Sequence, residues 1–175
     1  VPKAYEWRAG YGYSNLMFIP AGEVIKAVSV KSWDQYVKDN FLSPLGMSRT
    51  QTSVSPLADM NNVATPHITR HDNMPIPYAN WDNMGAAGGI VSSTNDMLLW
   101  LGSQLAGGQW AGQEIFPAAT TNFTWKPHNA LGNHQSFSSA GLGWFLRNTD
   151  GHTIISHGGG YDGMYSRVAL VPDQN

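Results

Sequence analysis

Two short stretches of the sequence carry groups that could act together on an acyl compound. The first is the Tyr-Ser-Asn triplet at residues 13–15, which places a phenol and a carboxamide directly before an apolar segment. The second is the His-Gly-Gly-Gly run at residues 157–160, where a titratable side chain meets bare backbone. A phenol acts as a general base only if nearby positive charge lowers its pKa from about 10. Backbone N–H groups of a glycine run can bind an oxyanion.

Each stretch also has a purely structural interpretation. A Tyr-Ser-Asn triplet before a helix is typical of a helix cap beside a packed aromatic residue. Three glycines after His157 are also typical of a β-bulge or a bend. The two stretches alone therefore leave both interpretations open.

Composition limits the kind of protein this chain can be. Of its 175 residues 42% are apolar and 13% are charged, and the formal net charge is −2. This balance predicts a packed core and excludes a basic surface for nucleic acid. No run approaches the roughly 20 apolar residues of a membrane span, so we expect none in this chain. The chain has no cysteine, which excludes disulfides and thiolate zinc sites.

The first part of the chain is predicted to be helical. Apolar residues at helical spacing predict a first helix over residues 17–28, capped by Asn15. Pro20 belongs in a first turn, so the regular part should begin near Ile19.

Two further helices carry clearer start signals. Ser32 can cap the second helix while Gln35 reaches back to it, and Ser93 can cap a third with Asp96 three residues on. Glycines at 107–108 should end the third helix. The Pro- and Asn-rich residues 51–84 predict a long ordered loop that covers part of the fold.

The pattern changes at Ala140, where strands replace helices. Three strands are predicted, at residues 141–147, 152–157 and 164–171, with the Asp-Gly step at 150–151 forming a tight hairpin. Helices followed by an antiparallel meander predict an α+β fold. We expect a helical lobe over residues 1–139 and the meander over residues 140–175.

Five blocks of sequence occur in an order that is characteristic when they are taken together. They are the 13–15 triplet with its apolar helix, residues 42–50 (Leu-Ser-Pro-Leu-Gly-Met-Ser-Arg-Thr), residues 86–93 with Asp96-Met97, the Gly-Leu-Gly-Trp of 141–144, and residues 157–160 with Gly163. Together they resemble the serine β-lactamase-related family, and more narrowly its class C-like branch of penicillin-binding, esterase and D-aminopeptidase-type hydrolases. Any one block is unspecific, but five in register favour the family.

The resemblance implies roles for the two stretches. It makes Tyr13 the base, Asn15 the residue that holds a lysine and the substrate amide, and His157 the side chain of the strand motif. It implies no cofactor and no metal. The family likeness also predicts that Tyr13 and His157 approach each other across one cleft, with the glycines on an edge strand. The substrate-binding backbone would be that of Gly158, Gly159 and Gly160, the last supplying an oxyanion N–H.

The family's nucleophile is absent from this sequence. That nucleophile is the serine of a Ser-x-x-Lys motif, and no serine here has a lysine three residues later. We therefore expect an internal piece of a larger hydrolase, inactive as it stands, whose parent acts on a small molecule or peptide. Missing segments or another copy should cover the sheet edge. The substrate could be a β-lactam, a D-peptide or an ester, and the resemblance implies a periplasmic or extracellular location.

Other functions are weighed against this one. A His-Gly-Gly-Gly loop also occurs in α/β-hydrolases, but no Gly-x-Ser-x-Gly elbow accompanies it here. A binding module that keeps the cleft without the nucleophile remains the alternative. His67 and His71 stand four apart as zinc ligands do, but the nearby prolines argue against a helix, and we assign no metal. The seven tryptophans favour packing over a sugar-binding surface.

Overall fold

The computed structural model describes residues 5–6, 9–69, 72–132 and 137–174, and its mixed helices and antiparallel sheet confirm the α+β prediction. The helices are α1 (Phe18–Ser29), α2 (Trp33–Val37), α3 (Ser43–Leu45), α4 (Gly85–Gly88), α5 (Thr94–Leu105) and α6 (Ala118–Thr124), with a π-helical turn at Lys38–Leu42 and 3-10 turns at Asn15–Met17, Ser55–Asp59 and Asp82–Met84. The strands are β1 (His67–Thr69), β2 (Asn73–Pro75), β3 (Gln109–Trp110), β4 (Gln113–Glu114), β5 (Asn129–Ala130), β6 (Ser139–Ala140), β7 (Phe145–Thr149), β8 (His152–Tyr161) and β9 (Met164–Leu170).

The chain divides into two compact units. The first unit contains residues 1–13, 100–158 and 167–175, and the second contains residues 14–99 and 159–166. These units are sets of residues in mutual contact. The boundary between residues 139 and 140, which separates a helical lobe from a sheet in the sequence, stays a prediction. No helix within the described residues is long and apolar enough to cross a membrane.

A five-stranded sheet supplies the framework for the His-Gly-Gly-Gly run. Its strand order is β5-β6-β7-β8-β9. The predicted hairpin between β7 and β8 is confirmed: Thr149 pairs with His152, and Asp150 and Gly151 have φ values of 51° and 84°. Positive φ at both central residues matches the twist of the flanking strands, which is why Asp-Gly suits this turn.

The strand that carries the glycines is internal and does not form an edge. β8 lies between β7 and β9 in the sheet, so the expectation of an edge strand is wrong. The reason is topological, because β8 follows β7 through one hairpin and leads into β9 through the next; the pairing with β7 ends at Ser156, so the glycines at 158–160 lie beyond the last β7 partner. Leu146 of β7, Ile155 of β8 and Leu170 of β9 are buried and form the apolar centre of this part of the fold.

Helix α1 follows the predicted course with one correction. Its regular part begins at Phe18, which places Pro20 in the first turn as expected. Asn15 does not cap it, because the 3-10 turn Asn15–Met17 comes first and the N-cap position falls on Met17. Gly22 is buried on the packed face, where a Cβ atom would approach Ala86 Cβ to 2.8 Å. Apolar side chains in the preceding 3-10 turn and along α1 are exposed to solvent: Leu16, Met17, Phe18, Val24 and Val28.

Side-chain caps start the next two long helical stretches. The Gln35 amide donates to Ser32 Oγ at 3.2 Å, which confirms Ser32 as the cap of α2. The Gln35 side chain does not reach back to Ser32 as predicted, because its carboxamide donates instead to Asp39 Oδ1 at 2.6 Å. The Asp96 amide donates to Ser93 Oγ at 3.2 Å, which confirms the cap of α5.

The carboxylate of Asp96 joins α5 to the segment that follows α3. Asp96 is buried, and one of its oxygens accepts from the Arg49 amide at 2.9 Å and from Thr50 Oγ1 at 2.7 Å. A buried carboxylate that accepts several hydrogen bonds is strongly stabilised in place. This one side chain therefore ties the first turn of α5 to a loop of the second unit.

The described part of residues 51–84 is ordered and covers part of the second unit. It contains two 3-10 turns and the β1–β2 hairpin, in which Ile68 pairs with Met74. The Tyr161 hydroxyl donates to the Ala79 carbonyl, and the Tyr161 and Trp81 rings lie 4.6 Å apart. These contacts confirm the prediction of an ordered loop with packed aromatic residues.

Candidate active site

Tyr13 and His157 lie next to each other in the first unit. Their ring centroids are 6.2 Å apart with an interplanar angle of 33°. The Tyr13 side chain is 57% exposed, whereas His157 is half-buried within β8. The structure thus confirms that the two side chains approach each other, and their catalytic roles stay predictions.

An aromatic cluster surrounds this pair. It consists of Tyr11, Tyr13, Phe137, Phe145 and His157, with Phe145 at its centre. Phe145 stacks on His157 at 5.3 Å and on Phe137 at 4.7 Å, and it lies 6.5 Å from Tyr13 at an angle of only 19°. Tyr11 meets Phe145 edge-on at 6.0 Å. Such offset and edge arrangements are the favourable ones for aromatic rings, so the cluster restricts the orientations of both candidate catalytic rings.

Backbone pairing explains why Phe145 sits beside His157. Phe145 is the first residue of β7, and it pairs with Ser156, the residue directly before His157. The register of the β7–β8 hairpin is set by the turn at residues 150–151. A local turn signal thereby determines which aromatic ring lies against the imidazole.

Tyr11 is a poor candidate for a base, although only Gly12 separates it from Tyr13. Burial raises the pKa of Tyr11 above its usual value near 10, and repulsion from Tyr13 raises it further. Both causes disfavour the phenolate. Tyr11 therefore remains a neutral phenol at physiological pH, which makes it a wall residue and not a candidate base.

A cavity of about 630 Å³ adjoins the aromatic cluster within the first unit. Among the residues that the structure describes, none in the lining carries a formal charge at neutral pH. The lining residues are Tyr5, Ala9, Gly10, Tyr11, Tyr13, Ala130, Leu131, Gly132, Phe137 and Phe145. Tyr13 and Phe145 belong both to the cavity wall and to the contacts around His157, so the cavity and the candidate site share two side chains.

The remaining predicted site residues differ in their surroundings. Asn15, in the second unit, is half-buried at the start of its 3-10 turn. Gly158 is half-buried at the end of the first unit's share of β8. Gly159 and Gly160 are exposed in the second unit; a Cβ atom at Gly159 would meet Ser166 Oγ at 2.6 Å, whereas one at Gly160 would meet nothing within 4 Å. The space beside Gly160 is therefore more open than that beside Gly159, and the role of Gly160 as an oxyanion donor stays a prediction.

Metal binding finds no support among the described residues, where no group of three His, Asp or Glu side chains could hold an ion. His67 Nδ1 lies 2.7 Å from the Thr65 carbonyl oxygen. His71, the other member of the weighed zinc pair, lies outside the described residues.

Sequence reasoning missed three members of the aromatic cluster: Tyr11, Phe137 and Phe145. A signal for one of them was present, because residues two apart in an extended segment point to the same side, as Tyr11 and Tyr13 do. Nothing local indicated Phe137 or Phe145. Their places depend on how β6, β7 and β8 pair.

Comparisons with known proteins agree with these observations. The family model described as "Beta-lactamase" matches residues 1–175. The chain is 26% identical over 172 residues to the unguisins hydrolase ungD' of Aspergillus campestris, covering 94% of this chain and 32% of that protein. The chain thus spans about a third of the length of this relative.

Solved structures show the same fold. The octameric penicillin-binding protein homologue from Pyrococcus abyssi aligns with a TM-score of 0.83 at 21% identity, over 95% of this chain and 37% of that one. The D-stereospecific amidohydrolase from Streptomyces sp. aligns with a TM-score of 0.76 at 23% identity, over 94% of this chain and 48% of that one. At these identities the likeness concerns the fold alone.

Proposed function

Because the chain belongs to the β-lactamase family, we propose that it supplies the base side of the catalytic site in a serine hydrolase with an acyl-serine intermediate. The substrate is a β-lactam, a D-peptide or an ester. The observation that carries this proposal is the approach of Tyr13 to His157, with ring centroids 6.2 Å apart. His157 lies on β8, directly before the three glycines of that strand. The names of two similar proteins, a hydrolase and a D-stereospecific amidohydrolase, support the reaction class.

The proposed reaction begins with the serine of a Ser-x-x-Lys motif, which this sequence does not contain. No Ser-x-x-Lys occurs in the sequence, so the nucleophile and its lysine come from another part of the whole protein. As the serine Oγ attacks the substrate carbonyl carbon, the Tyr13 oxygen accepts its proton and then passes it to the leaving nitrogen or oxygen. Water then attacks the acyl-serine ester and gives its proton to the same base, the bond between the acyl carbon and the serine Oγ breaks, and the base returns the proton to Oγ as the product acid leaves.

The other residues assist charge at defined atoms. The Gly160 N–H donates to the carbonyl oxygen as it becomes negative. The His157 imidazole lies beside the Tyr13 ring and takes the place of the strand-motif side chain that faces the substrate. The Asn15 carboxamide orients the substrate amide and the lysine ammonium.

Covalent labelling tests this proposal. A labelled penicillin or an activated ester should acylate the whole protein at the serine of a Ser-x-x-Lys motif, as peptide mapping by mass spectrometry would show. The 175-residue chain alone should remain unlabelled, because Tyr13 then has no serine hydroxyl to deprotonate. Acylation at any serine of this chain would refute the assignment. A whole protein that binds these compounds without acylation would instead be a binding module.

A further inference from the structure

The cavity beside Tyr13 has the size of a small-molecule site. Its volume of about 630 Å³ falls inside the range of about 300–1,000 Å³ usual for such sites. Because Tyr13 forms part of the wall, a molecule in the cavity contacts the proposed base.

The wall of this cavity suits one kind of chemical group. Half of its ten lining residues are aromatic, and the others are Ala, Gly and Leu. A charged ligand would lose hydration there and gain no opposite charge from the described wall residues, which is costly. A flat apolar ring would keep favourable contacts with this aromatic wall, against Phe137 and against the edge of Phe145, whose faces already stack on Phe137 and His157. Burial also raises the pKa of the Tyr11 hydroxyl, so Tyr11 itself adds no negative charge to this wall at neutral pH.

The position of Phe145 relates the cavity to the reacting groups. Its ring forms part of the cavity wall and stacks on His157 at 5.3 Å. A ring bound against Phe145 would therefore be held at one ring's distance from the imidazole. A substrate with its aromatic group in the cavity would present its carbonyl near Tyr13.

We propose that this cavity binds an uncharged aromatic side chain or acyl group of the substrate, and so gives the hydrolase a preference for aromatic over small aliphatic substrates. That the bound group belongs to a substrate rests on the proposed function. Binding of the aromatic group to the isolated chain does not, because the described wall residues all belong to this chain.

Direct binding to the 175-residue chain tests the cavity without catalysis. Phenylacetamide should shift the backbone amide signals of Ala130, Leu131 and Gly132 in ¹H–¹⁵N spectra and saturate. Propanamide, the matched aliphatic amide, should bind about tenfold more weakly or less, since it lacks the apolar area of the ring. Equal responses to both amides, or no response to phenylacetamide, would overturn the proposal.

Matched variants locate the binding. Phe137→Leu removes a stacking ring from the wall and should weaken phenylacetamide binding about fivefold, whereas Phe137→Tyr keeps the ring and should bind within about twofold. Phe123→Leu is the control, because Phe123 is 55% exposed and lies outside the lining. If Phe123→Leu weakens binding as much as Phe137→Leu does, the ligand is elsewhere. The spectrum of each variant also shows that it is folded.

Kinetics of the whole protein separate this proposal from the one on which it rests. Methyl phenylacetate should exceed methyl acetate in kcat/KM by about tenfold or more, and Phe137→Leu should reduce that ratio. Hydrolysis of both esters without preference would refute the aromatic pocket and leave the hydrolase standing. Selective phenylacetamide binding in a protein that hydrolyses neither ester would refute the hydrolase and leave the pocket standing.

Discussion

Replacement of Phe145 by Leu tests whether one ring holds the aromatic cluster together. Phe145 stacks on Phe137 at 4.7 Å and on His157 at 5.3 Å, and it meets Tyr11 edge-on at 6.0 Å. Each aromatic pair contributes about 0.5–1.5 kcal/mol beyond its buried area. Because the ring is only half-buried, we expect the variant to lose about 2 kcal/mol of unfolding free energy, toward the lower end of that sum. For a chain of this size the melting temperature should fall by about 4–8 °C.

Two measurements on the isolated chain check this expectation. Thermal unfolding followed by circular dichroism gives the change in melting temperature. Proton NMR of the His157 ring should show its signals move when the stacked ring is removed, which a merely global loss of stability would not cause. Phe123→Leu is the matched control, since the exposed Phe123 has one edge contact, with His128 at 5.0 Å. If Phe145→Leu destabilises no more than this control, and the His157 signals stay in place, the cluster does not organise the site.

Three further outcomes are expected. In the whole protein Tyr13→Phe should lower turnover about 10²-fold with unchanged circular dichroism, as loss of a positioned base does; unchanged turnover would make the triplet a structural feature only. Asp96→Ala leaves the Arg49 amide and the Thr50 hydroxyl without their acceptor and should cost about 3 kcal/mol in urea unfolding, a loss below about 1 kcal/mol contradicting this account. A hydrogen bond from His152 lowers the pKa of Asp173 in the folded state. This hydrogen bond therefore stabilises the fold above the unfolded-state pKa of about 3.9, and the stabilisation is lost as the pH falls through the lowered folded-state pKa. The difference in melting temperature between wild type and Asp173→Asn should therefore be largest above about pH 4 and vanish in stronger acid; a pH-independent difference would exclude this linkage.

Local signals predicted the fold where a few neighbouring residues decide the backbone. Ser32 and Ser93 begin their helices because a hydroxyl satisfies an amide three residues on, and the Asp-Gly turn at 150–151 fixes a hairpin by its positive φ values. These effects act over fewer than five residues, so periodicity and turn chemistry suffice to find them. The family likeness added the approach of Tyr13 to His157, which no local pattern requires.

Pairing between distant strands decided what the sequence did not predict. Strands β5 and β6 have two residues each, too few for an alternating pattern. Without them Phe137 has no predictable neighbour, and its stacking on Phe145 depends on the register of β6 with β7. The internal position of β8 likewise follows from two hairpins, whereas the family likeness predicted an edge strand.

The exposed apolar side of α1 has a practical consequence for the study of this chain. Met17 is 67% exposed, whereas Met47 is 5% exposed, and the chain has no cysteine to compete for an oxidant. Dilute peroxide should thus convert the thioethers of Met17 and of Met74, which is 54% exposed, to sulfoxides well before that of Met47. Met47 then provides an internal reference within the same unit. Any molecule that covers α1 would slow oxidation at Met17 alone, so the peptide masses of one digest give a footprint of that surface without a label.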